Sequence, residues 1–318
     1  MVEDDYPRNK QEFLERFSTE QKCLEYLIRW RWPAGFECPA CGSKKAWPHR
    51  RRLFECSTCG RQTSVTAGTI FQDTRKPLRL WFEVIWTVVS QKNGASAKNI
   101  EEALGFGSYR TAWTWLQKLR RAMIRPGRDH LCGTVEIDET YIGGEEDGQR
   151  GRGPTEKTLV VVAVECEPNR KPGRVRFRCI PDASGDSLLP FVVDNVKGGS
   201  NVITDGWLGY SGLGAKGYKH EVRKVAPSGK KAHELLPHVH LIDTLVKRWL
   251  LGTHQGHVSP KHLRYYLDEY AFRFNRRLST HRGLLFHRLV TQALALEPVT
   301  YNHITAPPLQ VMQPESSA

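Results

Sequence analysis

Two Cys-x-x-Cys pairs, "CPAC" (Cys38, Cys41) and "CSTC" (Cys56, Cys59), constrain this chain more than any other feature. Each pair lets two thiolates converge from one tight turn, and two such turns complete a tetrahedron around zinc. Gly42 and Gly60 follow the second cysteine of each pair, as knuckle turns prefer. Four thiolates fill the coordination sphere, so the expected Zn2+ is structural. It would hold a ribbon of about 35 residues that could not otherwise bury enough core. Two disulfides or free thiols are the alternative. The charged N-terminus "MVEDDYPRNKQEF" shows no secretory signal, which argues against a disulfide framework. Cys23, Cys132, Cys166 and Cys179 have no comparable spacing and read as buried or incidental.

Charge narrows the partner. Among 318 residues the net charge is +13 and the pI is near 9.4, a balance that attracts polyanions, nucleic acid first among them. Scattered lysines on a basic protein are the bland alternative. Within the ribbon, Arg50, Arg51 and Arg52 lie between Trp47 and Phe54, as a DNA contact or as a solvated hairpin. No run of about 18 apolar residues occurs, so no membrane span is expected, and a cytoplasmic, nucleoid-associated location is.

The length suits about two domains. Residues 1–35 read as a helical arm in two pieces, with Ser18 capping the second because Gln21 lies three residues on. The ribbon occupies 36–72 and a helical segment 73–130. An α/β domain follows from 131 to 300, and 301–318 reads as a disordered tail. "GGEEDGQRGRGPTEK" between the first two strands reads as a hairpin loop.

In "SAKNIEEALGFGSYRTAWTWLQKLRRAM" two helical patterns meet at "GFG", and Ser108 can cap the second. Ala112, Leu116, Leu119 and Met123 form a core stripe, while Arg110, Lys118, Arg120 and Arg121 stay largely off it. That layout suits a helix-turn-helix whose second helix enters a DNA groove, or an ordinary helical hairpin. Trp113 and Trp115 read as packing residues.

The stretch "VEIDETYIGG" places Asp138 and Glu139 inside a β-strand, where a bare carboxylate is costly. Alternation points Val135 and Ile137 away from Asp138, and Glu139 away from it as well. "NVITDGW" repeats the pattern, with Asp205 closing a short strand. Two strand-borne aspartates on a basic protein suggest a shared Mg2+ or Mn2+ site, since hard cations select carboxylate oxygen. His240 follows Asp205 by 35 positions in "HVHLIDTLVKR", and Lys247 lies two helical turns further on the same face.

Aspartate, aspartate, a third ligand about 35 residues on and lysine seven later resemble the DDE-type transposases. With the ribbon ahead and "VSPKHLRYYLDEYAFRFNRR" behind, the chain resembles the zinc-ribbon group of bacterial insertion-sequence transposases over roughly residues 20 to 280. The resemblance implies a ribonuclease-H-like mixed sheet flanked by helices. It also implies hydrolysis at element ends and attack of the released 3′-hydroxyl on target DNA, with double-stranded DNA as partner and at least a dimer to pair two ends. Asp138, Asp205 and His240 would hold two Mg2+ or Mn2+ ions about 4 Å apart, with Asp138 bridging. Lys247 would contact a phosphate near the scissile bond, and Arg248 beside it would join the DNA surface.

One position departs from the pattern: His240 stands where most such enzymes have glutamate. Imidazole suits Mn2+ better than Mg2+, and the resembled group includes a branch with asparagine or histidine there. Asp243 is an alternative third ligand. Two other readings stay open: a DNA-binding regulator with an inactive nuclease-like domain, and a non-transposing nuclease of the same fold.

Overall fold

The computed structural model describes residues 6–49, 53–125, 127–143, 157–168, 171–224, 229–256 and 258–306. Arg50, Arg51 and Arg52 lie outside that set. So do most of the glycine-rich stretch after Gly143, read above as a hairpin loop, and residues 307–318 of the tail. Residues 301–305, read above as part of that tail, instead form a short helix that buries Ile304.

Local chemistry shapes the N-terminal part. Helices α1 (Lys10–Arg16) and α2 (Glu20–Arg31) begin at Asn9 and Thr19, whose side chains accept the Glu12 and Lys22 N–H groups. Thr19, not Ser18, therefore caps α2, while the Ser18 hydroxyl turns back to donate to the Glu15 carbonyl. Strands β1 (Ala46–His49), β2 (Leu53–Cys56) and β3 (Gln62–Ser64) make a small antiparallel sheet in that order. Helices α3 (Leu78–Ser90), α4 (Ala97–Leu104) and α5 (Tyr109–Ala122) follow. Ser108 holds the N-cap position of α5 without a side-chain bond.

From residue 134 the chain builds a second sheet from β4 (Thr134–Ile142), β5 (Thr158–Cys166) and β6 (Pro172–Ile180). Helix α6 (Gly185–Asn195), β7 (Asn201–Thr204) and β8 (Lys219–Val222) come next. Then come α7 (Ala232–Leu235), α8 (Pro237–His254), α9 (Pro260–Phe274), α10 (Arg282–Ala295) and α11 (Tyr301–Thr305). The strand order is β6-β5-β4-β7-β8, antiparallel among the first three and parallel from β4 through β7 to β8. This is the ribonuclease-H-like arrangement that the resemblance implies.

Strand alternation divides the residues between two layers. Val135, Ile137, Val161, Ala163 and Val202 pack on α6 through Leu188, Phe191 and Val192. Val160, Val162, Val164 and Ile203 pack under Val239, Ile242 and Val246 of α8 and Leu263 and Leu267 of α9. A third cluster joins the first five helices to α10, which returns through Leu285, Phe286 and Leu289 to pack among them.

The helix-turn-helix expectation meets a packing limit. The core stripe of α5 is buried as read, and the Trp115 indole stacks on Trp81 at 3.6 Å between centroids. Yet α5 also packs against α9 and α10. Arg120, expected off the stripe, is 1% exposed and donates to Glu269 at 2.8 Å. Lys118 donates to the Ile70 carbonyl, and Arg121 lies over Tyr265 at 3.9 Å. Arg110 is exposed and stacks on Tyr301. Burial of α5 on several sides leaves Arg110 as the exposed member of the three proposed DNA contacts.

Candidate active site

Asp138 sits at the middle of β4 on the face that carries Glu136, with Val135 and Ile137 committed to the opposite layer. Strands β4 and β7 run parallel with Glu136 opposite Ile203. Continued two residues further, that direction brings Asp205 towards Asp138, and the two line one cleft. Asp205 is the first residue past β7, and its Oδ1 accepts the Trp207 N–H at 2.9 Å. Gly206 makes the turn with φ +85°, and a Cβ there would fall 2.5 Å from Val222 Cγ1. Glycine is therefore required behind this aspartate.

Helix α8 supplies the third side. His240 Nε2 stands 3.6 Å from Asp138 Oδ2. One turn on, Asp243 accepts from Lys247 Nζ at 3.0 Å, and the same ammonium donates to Thr140 Oγ1 at 2.6 Å. Asp138, Glu139, Asp182, Asp205 and Trp207 line a cleft of about 660 Å³ at these strand ends. Glu139 turns the other way, as expected; burial first, then its charge, raises the titration of Tyr210.

The electrostatics are those of crowded acids. Burial, then the negative charges of Glu139, Asp205 and Asp243, push the Asp138 carboxyl up to about 7. Burial holds the His240 imidazole below its ordinary value, favouring the neutral ring with a lone pair. His240 Nε2 is shielded from water and has no hydrogen-bond partner among the described residues. An orphaned, buried nitrogen aimed at a half-buried carboxylate is what a cation between them would satisfy.

A second group, which the sequence reading missed, anchors α8. Glu136, 2% exposed, accepts the His238 and Val239 N–H groups at 2.7 and 3.0 Å and contacts His238 Nδ1 at 2.7 Å. Cys166 Sγ lies 3.5 Å from that nitrogen. Donor atoms of Glu136, Cys166 and His238 lie within 4.8 Å of one another. Both Glu136 oxygens, however, are already engaged by the first turn of α8. Glu136 therefore acts as a charged helix cap. It precedes Asp138 by two residues on β4, and His238 precedes His240 by two on α8. The only sequence signal was a glutamate among apolar strand residues.

In the ribbon, the sulfurs of Cys38, Cys41, Cys56 and Cys59 lie within 4.8 Å of one another, with Cys38–Cys59 at 3.7 Å and Cys41–Cys56 at 3.6 Å. Gly42 and Gly60 have φ +70° and +68° and donate to the Cys38 and Cys56 carbonyls. Backbone donation from Cys59 draws the Cys56 thiol down to about 6, as suits a metal thiolate. The other cysteines form no such group. Cys23 is buried, Cys132 exposed, and Cys166 and Cys179 half-buried.

Comparison with known proteins adds to this geometry. Residues 130–275 match the ISXO2-like transposase domain, and residues 18–62 match the transposase zinc-ribbon domain. Both matches are to domains of zinc-ribbon insertion-sequence transposases, and they follow one another along this chain. A relative from Halobacterium salinarum, described as an uncharacterized protein in transposable element ISH50, is 27% identical over 280 residues. The alignment covers 82% of this chain and 92% of that protein. The crystal structure of a pre-cleavage Mos1 transpososome shares 12% identity, covering 72% of this chain and 82% of that one, with a TM-score of 0.30. Among the described residues no helix is long and apolar enough to cross a membrane.

Proposed function

We propose that this protein is a transposase that cuts insertion-sequence ends by divalent-metal-dependent hydrolysis and joins the released 3′-hydroxyl to target DNA. The observation that carries the reading is the approach of His240 Nε2 to Asp138 Oδ2, with Asp205 just past the neighbouring strand. Asp138 and Asp205 line one cleft, and His240 approaches Asp138 from α8. These three side chains would hold the divalent ions. Bound Mg2+ or Mn2+ would lower the pKa of a nucleophilic oxygen and offset charge on the leaving oxygen.

The chain's own groups do the rest. Asp138 at the middle of β4 and Asp205 just past β7 present their carboxylates to the cleft, where duplex backbone can approach. Lys247, fixed between Asp243 and Thr140, presents an ammonium to a nearby phosphate as a point charge. Arg248, exposed on the next position of α8, extends that positive surface. In the ribbon, four converged sulfurs fit one structural Zn2+ and leave no open position for chemistry. Double-stranded DNA is the partner, with at least a dimer to hold two ends.

A strand-transfer assay with end-bearing DNA and Mn2+ tests this. We expect joined products from the wild type and none from Asp138→Ala. Wild-type protein as inert as that variant would favour the second reading, a DNA-binding regulator, to which histidine in place of the third acid lends its support.

A further inference from the structure

The segment after α5, the start of β6, and helices α9 and α10 enclose a groove of about 550 Å³. Six arginines line it: Arg125, Arg128, Arg174, Arg176, Arg276 and Arg288. Two carboxyls share the walls, Asp129 and Asp268. Burial pushes Asp268 up to about 7, so near neutrality it offers only part of a compensating charge. Arg174 is answered by Glu165 at 2.7 Å, and Asp129 reaches Arg125 only at 3.9 Å.

The remaining guanidiniums crowd one another. Arg176 is 5% exposed, donates to the Val175 and Asp129 carbonyls, and leaves Nε without a partner. Burial first, then Arg128 and Arg174, push it down to about 10. Burial, then Arg288 and Arg125, do the same to Arg276. Like charges gathered this closely repel, and a polyanion relieves the repulsion.

The groove shares no lining residue with the cleft at Asp138 and Asp205. Strand registers align Arg176 with Ala163 and Ala163 with Ile137, so the groove opens at the β6 edge, two strands across the sheet from β4. Asp205 follows the far end of β7. β6 is also the outermost strand, and the Asn275 side chain, at the end of α9, accepts the Val175 N–H and donates to the Val175 carbonyl.

We propose that this groove takes the sugar–phosphate backbone of a second stretch of duplex DNA, distinct from the strand held at Asp138 and Asp205. Guanidinium forks match phosphate oxygens in pairs, and sequence-independent backbone contact needs nothing more. Only the idea of a second DNA segment rests on the transposase reading.

The test is duplex binding as a function of salt, without divalent ions and in an Asp138→Asn background, so that catalysis plays no part. Arg125→Gln with Arg288→Gln removes two exposed groove cations. Each phosphate contact contributes about 0.9 to the slope of log affinity on log salt, so the pair should lower its magnitude by about 1.8. Lys216→Gln with Lys219→Gln, at the opposite sheet edge, serves as the control and should leave the slope nearly unchanged. An unaltered slope in the arginine pair overturns the proposal, as does an equal fall in the control, which would mean diffuse attraction. If the slope falls as expected while wild-type protein fails to join DNA, the groove stands and the catalytic reading does not.

Discussion

His240 Nε2 stands 3.6 Å from Asp138 Oδ2, near enough to share a cation and too far for a strong hydrogen bond. Among the described residues the imidazole nitrogen has no hydrogen-bond partner, and the carboxyl is crowded by three other acids. A neutral nitrogen ligand in place of a third carboxylate should select the softer of the two hard ions. Strand transfer is therefore expected to be stronger with Mn2+ than with Mg2+. His240→Ala should lower the Mn2+ rate by more than about 100-fold, and His240→Glu should move the preference towards Mg2+. Product yields across a metal series would show it, and an unchanged preference in His240→Glu would remove His240 from the ligand set.

The raised Asp138 carboxyl gives a pH dependence with a definite sign. Without metal, the folded chain keeps a proton at Asp138 up to about pH 7, whereas the unfolded chain releases it near 3.8. That contribution to stability is present below about pH 4 and is lost as pH rises through about 7. Mn2+ needs the ionised carboxylate, so the gain in melting temperature on adding Mn2+ should be small at pH 5 and full by pH 8. Asp138→Asn should abolish the gain. Asp268, also pushed up to about 7, keeps its own share of the metal-free slope in that variant.

Glu136 holds the first turn of α8, and α8 holds His240. Glu136→Ala leaves two N–H groups and an imidazole without their buried acceptor, and should cost about 3 kcal/mol. Glu136→Gln should cost less, because one amide oxygen remains to accept. Denaturant melts measure both. Equal stability of all three proteins would mean that α8 is held by its apolar face alone.

Removing the ribbon's metal should unfold the ribbon and spare the larger sheet. We expect one zinc per chain by elemental analysis, lost with Cys41→Ser or with a strong chelator. Circular dichroism should retain most of its signal, since the two cores that flank the larger sheet contain no ribbon cysteine. A full stoichiometry of zinc in Cys41→Ser would count against the four-thiolate site.

Much of this molecule was legible as sequence because the signals were local. Cys38, Cys41, Cys56 and Cys59 declared the ribbon through spacing, and the β4, β5 and β6 segments declared themselves through β-branched runs. Asp138 and Asp205 stood out because a strand rejects a bare acid, and His240 and Lys247 joined them as candidates through helical spacing and the resemblance to the DDE pattern. Strand β8 was missed, since "KHEV" at a sheet edge has no apolar pattern to show. The Thr19 cap was misread by one residue, because two adjacent hydroxyls look alike until the backbone turns. What sequence alone determined, then, was which side chains could do chemistry and on which kind of element each would sit. Tertiary structure decided which of them meet: Asp205 beside Asp138, Glu136 beneath α8, α5 buried on several faces, and six arginines around one groove. Such meetings depend on strand order and helix docking, which are set by the total burial of apolar surface and leave no periodic trace in the chain.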